Sequence, residues 1–110
     1  MPKAPIQQKE MKILWGRSGG KCAICKCDLI REKEEGKSFP IGVMAHIEGE
    51  KGGAARYNPN MKNEDRSKYE NLILLCPTDH EIIDKNPEKF TVTHLKKLNQ
   101  NMKILLIKVF

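Results

Sequence analysis

Two short pairs of metal-ligand residues, about fifty residues apart in the chain, constrain its fold more than any other feature. Cys22-Ala-Ile-Cys25 places two thiols with a two-residue gap, and Cys76-Pro-Thr-Asp79 repeats that gap with a carboxylate in second position. A two-residue gap lets both side chains reach a single ion. Two such pairs that clip distant segments together are typical of a structural zinc site. The sequence therefore predicts a fold stapled by zinc.

The spacing favours Cys22, Cys25, Cys76 and Asp79 as the four zinc ligands. Cys27 is a softer ligand than a carboxylate but follows Cys25 closely, and it stays open as the alternative fourth ligand. A set of buried free thiols is the competing interpretation. A thioredoxin-like redox role for the first pair is disfavoured, because no βαβ pattern surrounds it.

The size and composition of the chain explain why it would need a staple. It has 110 residues, of which 5% are aromatic. We expect one domain over residues 1–110 with a thin core of Leu, Ile and Met. The N-terminus has no apolar signal segment, and no run is long enough to span a membrane. A reducing, cytoplasmic location is therefore expected, where neighbouring cysteines usually bind metal.

Charge is unevenly distributed along the chain. The net charge is +6, with balances of +4 over residues 1–37, −3 over 38–84 and +5 over 85–110. Basic flanks around a carboxylate-rich centre suit a polyanionic partner whose backbone meets a metal ion in the middle.

Two short strands and a helix are predicted around the second metal-ligand pair. The apolar run Leu72–Leu75 predicts a buried strand, and 41–45 predicts another that ends at His46. Gly42 suggests a bend or a close approach of the backbone. Pro77 then ends the strand, and Thr78 offers a cap for a helix. That helix carries two more candidate ligands on one face, His80 and Asp84.

The flanking segments are expected to be helical. An N-terminal helix (1–14 in outline) is predicted over Ile6–Trp15 and ended by Gly16, with Trp15 as a packing anchor. A final helix (within 91–110) would be capped by Thr91 or Thr93. Its apolar stripe recurs at three and four residues: Leu95, Leu98, Met102, Leu105 and Val109. The segments 31–38 and 49–63 are predicted as loops, and the apolar end 104–110 suggests packing on a further domain or another chain.

The order strand, strand, helix, with His46, Asn71 and His80 at the junctions, resembles the HNH endonucleases, also called ββα-metal or His-Me finger nucleases. The motifs that carry the resemblance are Ala45-His46-Ile47, Glu70-Asn71-Leu72 through Cys76, and His80-Glu-Ile-Ile-Asp84. It extends over about 15–98, and the zinc-containing branch matches best. The chain is also similar to nuclease domains that bacterial restriction and anti-phage effectors carry.

The resemblance implies an α+β fold, a small ββα-metal finger with flanking helices, and a role for each junction residue. His46 would be the general base, Asn71 would hold the long loop in shape, and His80 would bind a catalytic metal. Asp84 stands where relatives often have a second metal-binding His, and a carboxylate there suits Mg²⁺ or Mn²⁺. Ala45 departs from the pattern, since many relatives have Asp or His at this position.

The implied function is metal-dependent hydrolysis of phosphodiester bonds in DNA, which we expect to be double-stranded, in the cytoplasm of a bacterium or of a phage-infected cell. The expected phosphate contacts are basic residues in or near the long loop: Lys51, Arg56, Lys62 and Lys68. Ala45 motivates an alternative, a zinc-stabilised nucleic-acid-binding module with weak or no catalysis. A homodimer or a fusion to a further domain would suit the apolar C-terminus.

Overall fold

The computed structural model describes the backbone of residues 5–49 and 51–109, and the side chains of 5–49 and 51–102. This part of the chain is a small α+β fold with two antiparallel two-stranded sheets and four α-helices. The elements in chain order are α1 (Gln8–Ser18), β1 (Ile30–Glu34), β2 (Lys37–Pro40), β3 (Val43–His46), α2 (Asn63–Arg66), β4 (Leu72–Leu75), α3 (Pro77–Lys85) and α4 (Val92–Val109).

The β3–β4 sheet lies at the centre of the core. It pairs Val43 with Leu75 at one end and His46 with Leu72 at the other. All four residues of β4 are fully buried, as expected for an apolar run without alternation. The predicted strand over Leu72–Leu75 is confirmed. The register places His46 at the edge where β3 ends, beside the start of β4.

Helices α1, α3 and α4 cover this sheet. α1 packs against β4 and α4, while α3 follows β4 and packs back on both strands. One buried residue represents each helix in the cluster, Leu14 from α1, Ile83 from α3 and Leu95 from α4. The core is built from aliphatic side chains, as the composition predicted.

Trp15 packs edge-on against the backbone of Gly42. A Cβ atom placed on Gly42 would lie 2.8 Å from Cη2 of Trp15 and 3.1 Å from Cδ1 of Leu74. Only glycine fits that gap without displacing its neighbours. The predictions of a close backbone approach at Gly42 and of a packing role for Trp15 are both confirmed.

The first helix runs further than predicted. It passes through Gly16 and ends at Ser18, and the left-handed residue after it is Gly19, with φ of 62°. Gly19 donates its amide to the carbonyl of Gly16 and so closes the last turn. The prediction that Gly16 ends the helix is wrong, because the run Gly19-Gly20 offers the positive φ that a C-cap prefers.

The segment 31–38, predicted as a charged loop, is a β-hairpin. Arg31 pairs with Phe39 and Ile30 with Pro40, and every residue of the two strands is exposed. Gly36, with φ of 79°, lies in the turn. The loop prediction failed because both faces of the hairpin are solvent-exposed, so that no apolar alternation marks the strands.

The N-cap of α3 differs from the prediction, and that of α4 is one of the two predicted residues. Cys76, rather than Thr78, is the N-cap of α3, and its Sγ accepts a hydrogen bond from the amide of Asp79 at 3.4 Å. Pro77 takes the first helical position, where its missing N–H costs nothing. At α4, Oγ1 of Thr91 accepts from the amide of His94, so Thr91 is the cap.

The apolar stripe of α4 faces the core over its first three turns. Leu95 and Met102 are buried and Leu98 is partly buried. The side chains of Leu105 and Val109, and the predicted packing of 104–110, lie outside the described residues. Within the described chain, none of the helices combines the length and the apolar character that crossing a bilayer requires.

Candidate metal centre and active-site groove

The structure brings the two metal-ligand pairs together. Ligand atoms of Cys22, Cys25, Cys76 and Asp79 all lie within 4.8 Å of one another. Three sulfurs and a carboxylate oxygen form a four-donor set of the kind that zinc accepts. This cluster could hold a metal ion such as zinc, and we refer to it below as the Cys₃Asp cluster.

The spacing of the sulfurs suits a tetrahedral ion. Sγ of Cys25 lies 3.9 Å from Sγ of Cys76. Zn–S bonds of about 2.3 Å in a tetrahedron separate two sulfurs by about 3.8 Å. Cys27 does not belong to the Cys₃Asp cluster and instead packs against the core, while its carbonyl accepts from the amide of Cys22. The geometry therefore favours Asp79 over Cys27 as the fourth donor.

A tight turn and one backbone hydrogen bond to β4 position Cys22 and Cys25. Lys26 adopts a left-handed conformation, with φ of 66°, and its amide donates to the carbonyl of Cys22. The amide of Ala23 donates to the carbonyl of Leu74 at 3.0 Å, which fastens the turn to β4. Because β4 runs directly into Cys76, this bond places both pairs at the same end of the central sheet.

Without metal, burial keeps protons on two of the cluster's thiols. Burial raises the pKa of Cys76 to about 12 and also raises the pKa of Cys22. Burial opposes ionisation of Asp79 too, but hydrogen bonds from the thiols of Cys22, Cys76 and Cys25 outweigh it and hold the pKa of Asp79 below its ordinary value. The carboxylate is thus ready to bind a cation, whereas the thiols of Cys22 and Cys76 must first lose their protons.

A separate groove of about 360 Å³ is lined by residues of β3, the long loop and α3, none of which belongs to the Cys₃Asp cluster. Among its lining residues are three of the predicted catalytic set, His46, His80 and Asp84, together with Lys51. The remaining lining residues are small or apolar: Val43, Met44, Ala45, Gly49, Ala54 and Ala55. The fold therefore gathers into one groove His46 and Asp84, which are 38 positions apart in the chain.

His80 and Asp84 contact each other within the groove. Nε2 of His80 lies 3.1 Å from Oδ2 of Asp84, as their spacing of one helical turn predicts. Their side chains are 34% and 43% exposed, so both remain accessible to a bound ion. His46 is half-buried at the end of β3, with its Nε2 atom shielded from solvent. Water or substrate must then reach its ring from the groove side.

Asn71 fastens the start of the long loop to the core. It is 3% exposed, and its side chain bonds the backbone of Glu48 twice, accepting from the amide and donating to the carbonyl. Its Nδ2 also donates to the carbonyl of Arg66 at 2.8 Å. Asn71 does not line the groove. In this geometry Asn71 holds the backbone that follows His46.

The side chain of Arg56 is buried, whereas the sequence predicted an exposed phosphate contact. Its side chain is 4% exposed, and its guanidinium donates to the carbonyls of Ile47, Ile83 and Phe90 and to Oδ1 of Asp84. The hydrogen-bond donors of the guanidinium therefore face acceptors within the protein. We therefore correct the expectation that Arg56 contacts phosphate, because the loop folds inward at this residue.

The three lysines predicted to contact phosphate are all exposed, but they are not gathered in one place. Lys51 lines the groove with His46 and His80. Lys68 lines two other surface depressions, and Lys62 precedes α2 as its N-cap. Of these three lysines, Lys51 is therefore the one that the fold places at the groove.

Arg66 is a structural residue that the sequence analysis did not identify. It is 5% exposed and donates to the carbonyls of Gly49, Asn58 and Met61, while its guanidinium stacks 4.7 Å from the ring centre of Tyr57. The long loop is therefore folded around two buried arginines. A charged residue in a polar loop gives no sequence signal for burial, so neither could be predicted.

No protein-family model matches this chain. A search of curated proteins likewise finds no match. The function must be argued from the residues and their geometry.

Proposed function

We propose that this protein is an HNH-type, metal-dependent endonuclease that hydrolyses phosphodiester bonds in DNA, with the β3–β4–α3 unit as its ββα-metal finger. The observation that carries the proposal is the shared groove of His46, His80 and Asp84. These are a candidate base and two candidate metal ligands, supplied by a strand end and by the helix that follows the partner strand. The order of elements is the one the resemblance implies.

His80 and Asp84 fit the demands of a catalytic divalent ion. One nitrogen and one carboxylate, both accessible, leave room for water and phosphate oxygens to complete the coordination of Mg²⁺ or Mn²⁺. When bound, the ion supplies charge neutralisation at the phosphate and at the leaving oxygen. His80 and Asp84 would hold it through the groups that now contact each other.

His46 would accept the proton of the attacking water. A neutral imidazole has a pKa of about 6.5 in its ordinary state, which suits proton transfer near neutral pH. The strand pairing of His46 with Leu72 fixes its backbone, and the burial of Nε2 restricts its ring. Asn71 would act on the same step indirectly by fixing the loop that leaves His46. Lys51 would contact a phosphate at the rim.

The Cys₃Asp cluster would serve stability. It lies at the N-terminus of α3 and joins the turn 22–25 to the central sheet. Zinc there would fix the start of the helix that carries His80 and Asp84. The structural and the catalytic ion would thus be held by different residues of the same helix.

The proposal is tested by titrating Mn²⁺ or Mg²⁺ into zinc-loaded, desalted protein with supercoiled plasmid as substrate. We expect nicking that depends on the added ion. Asp84→Asn should raise the Mn²⁺ concentration needed for half-maximal cleavage by about tenfold or more. Glu81→Gln is the matched control, since Glu81 is exposed on the same helix and contacts Lys85 at 3.7 Å. Absence of cleavage with every ion would contradict the proposal.

A second candidate, a zinc-stabilised nucleic-acid-binding module without catalysis, is favoured by one observation. Position 45, where many relatives have Asp or His, is a buried alanine. Retention of DNA in a gel-shift assay, with no cleavage in any ion, would select this candidate.

A further inference from the structure

We propose that Arg56 is a positioning residue of the groove, which fixes the metal-binding end of α3 relative to the strand end that carries His46. The role in metal binding rests on the proposed function, whereas the contacts of Arg56 are those of the structure.

The guanidinium of Arg56 joins three segments. Its Nε donates to the carbonyl of Ile47, the residue after His46, at 2.7 Å. One terminal nitrogen donates to the carbonyl of Ile83 at 2.9 Å and to that of Phe90 at 3.4 Å, and the other donates to Oδ1 of Asp84 at 3.0 Å. The exit of β3, the last turns of α3 and the segment before α4 therefore meet at one side chain.

The contact with Asp84 completes a chain of polar groups that ends on His80. Oδ1 of Asp84 accepts from Arg56, and Oδ2 lies 3.1 Å from Nε2 of His80. Carboxylates held in this way fix the ring orientation of a neighbouring histidine. Because the side chain of Arg56 is 4% exposed and three backbone carbonyls hold it, it provides a rigid base for the more exposed Asp84.

The backbone of Arg56 has an uncommon conformation. Arg56 has φ of 58°, a left-handed conformation that non-glycine residues rarely adopt. The loop accepts this conformation where the guanidinium enters the interior.

Arg66 provides a matched control. It is also a buried arginine, at the end of α2 and 5% exposed, and it also donates to three backbone carbonyls. Its acceptors are Gly49, Asn58 and Met61, and Asp84 is not among them. Lysine at either position keeps the charge but cannot reproduce the fork of donors. Both variants should lower the melting temperature, whereas only Arg56→Lys should disturb the groove.

Two measurements on zinc-loaded protein test the inference. Calorimetric titration with Mn²⁺ should show affinity reduced about tenfold or more in Arg56→Lys and changed less than about threefold in Arg66→Lys. The second measurement is a long-range ¹H–¹⁵N correlation spectrum of the imidazoles, recorded without added divalent ion. In the parent and in Arg66→Lys it should show the His80 proton on Nε2. In Arg56→Lys it should show the proton exchanging between the two ring nitrogens.

An unchanged His80 pattern in a folded Arg56→Lys protein would overturn the inference, as would an equal loss of Mn²⁺ affinity in both variants. The imidazole measurement needs neither cleavage nor a bound catalytic ion. A parent that does not cleave DNA would therefore count against the proposed function, while the comparison of His80 between variants still decides the role of Arg56.

Discussion

The side chain of Asn71 holds Glu48 by both of its backbone polar groups, accepting from the amide at 2.8 Å and donating to the carbonyl at 3.1 Å. Glu48 lies two residues after His46, and the amide of Ile47 donates to the carbonyl of Asn71. Asn71 thus holds three backbone groups of the chain that leaves the candidate base, the amide of Ile47 and both polar groups of Glu48. The carbonyl of Ile47 instead accepts from Arg56.

Replacing Asn71 should therefore destabilise the fold substantially. Asn71→Ala removes three hydrogen bonds and leaves buried backbone groups of Glu48 and Arg66 without partners, at a cost of about 2–4 kcal/mol in the free energy of unfolding. Asn86→Ala is the control, because the side chain of Asn86 has one exposed hydrogen bond, to the carbonyl of Ile82, and its loss should cost less than about 1 kcal/mol. Urea unfolding measures both, and equal losses would contradict the role assigned to Asn71.

Two glycines should respond to alanine with opposite signs. At Gly42 the added methyl group meets Trp15 at 2.8 Å, so Gly42→Ala should destabilise by about 1–3 kcal/mol. At Gly16, within α1, no atom lies within 4 Å of the added Cβ, so Gly16→Ala should stabilise by about 0.5–1 kcal/mol. Thermal unfolding of the two variants checks the packing of Trp15, and a neutral Gly42→Ala would show that the ring has room to move.

Zinc content should separate Cys25 from Cys27. Cys25→Ser removes an exposed donor of the Cys₃Asp cluster, whereas Cys27→Ser changes a cysteine outside it. We expect about one zinc per chain in the parent and in Cys27→Ser, and well below half in Cys25→Ser, because serine is a poor zinc ligand. Elemental analysis of purified, desalted protein provides the measurement. Zinc loss in Cys27→Ser alone would restore Cys27 as a ligand.

Zinc affinity should increase with pH. The pKa values of Cys22 and Cys76 are raised in the metal-free protein, so both thiols are protonated at neutral pH and must release protons when zinc binds. The pKa of Asp79 is lowered, so its carboxylate is already ionised and releases none. Between about pH 6 and pH 8 the apparent affinity should rise by about tenfold per pH unit for each proton released. Competition with a chromogenic chelator measures this slope, and a flat profile would mean that the thiols are not ligands.

The parts of the fold that the sequence predicted well are those with a one-dimensional signature. Leu72–Leu75 is a run too apolar to be anything but buried, and α4 repeats its apolar residues at helical spacing. The paired gaps of Cys22-x-x-Cys25 and Cys76-x-x-Asp79 also predicted a cluster that the structure brings together. Spacing is sufficient in these cases because the relevant contacts are repeated or local.

The parts that were missed depend on long-range contacts of polar residues. The exposed hairpin over Ile30–Pro40 has no buried face to impose alternation, and the end of α1 depended on which of three glycines adopts a positive φ. The inward turn of Arg56 is set by carbonyls from Ile47, Ile83 and Phe90, which lie on separate segments of the chain. No local pattern encodes such a meeting point.

The most direct test of the central claim compares cleavage by the parent, His46→Ala and His94→Ala under single-turnover conditions. His94 is an exposed histidine of α4 that packs edge-on against Phe90 and does not line the groove, so its variant controls for the loss of an imidazole. With zinc-loaded protein, saturating Mn²⁺ and supercoiled plasmid, loss of a general base should slow His46→Ala by about a hundredfold or more. His94→Ala should cut within about threefold of the parent, since removal of an exposed side chain has little effect on the fold. A His46→Ala protein that binds zinc, remains folded and cuts as fast as the parent would contradict the account.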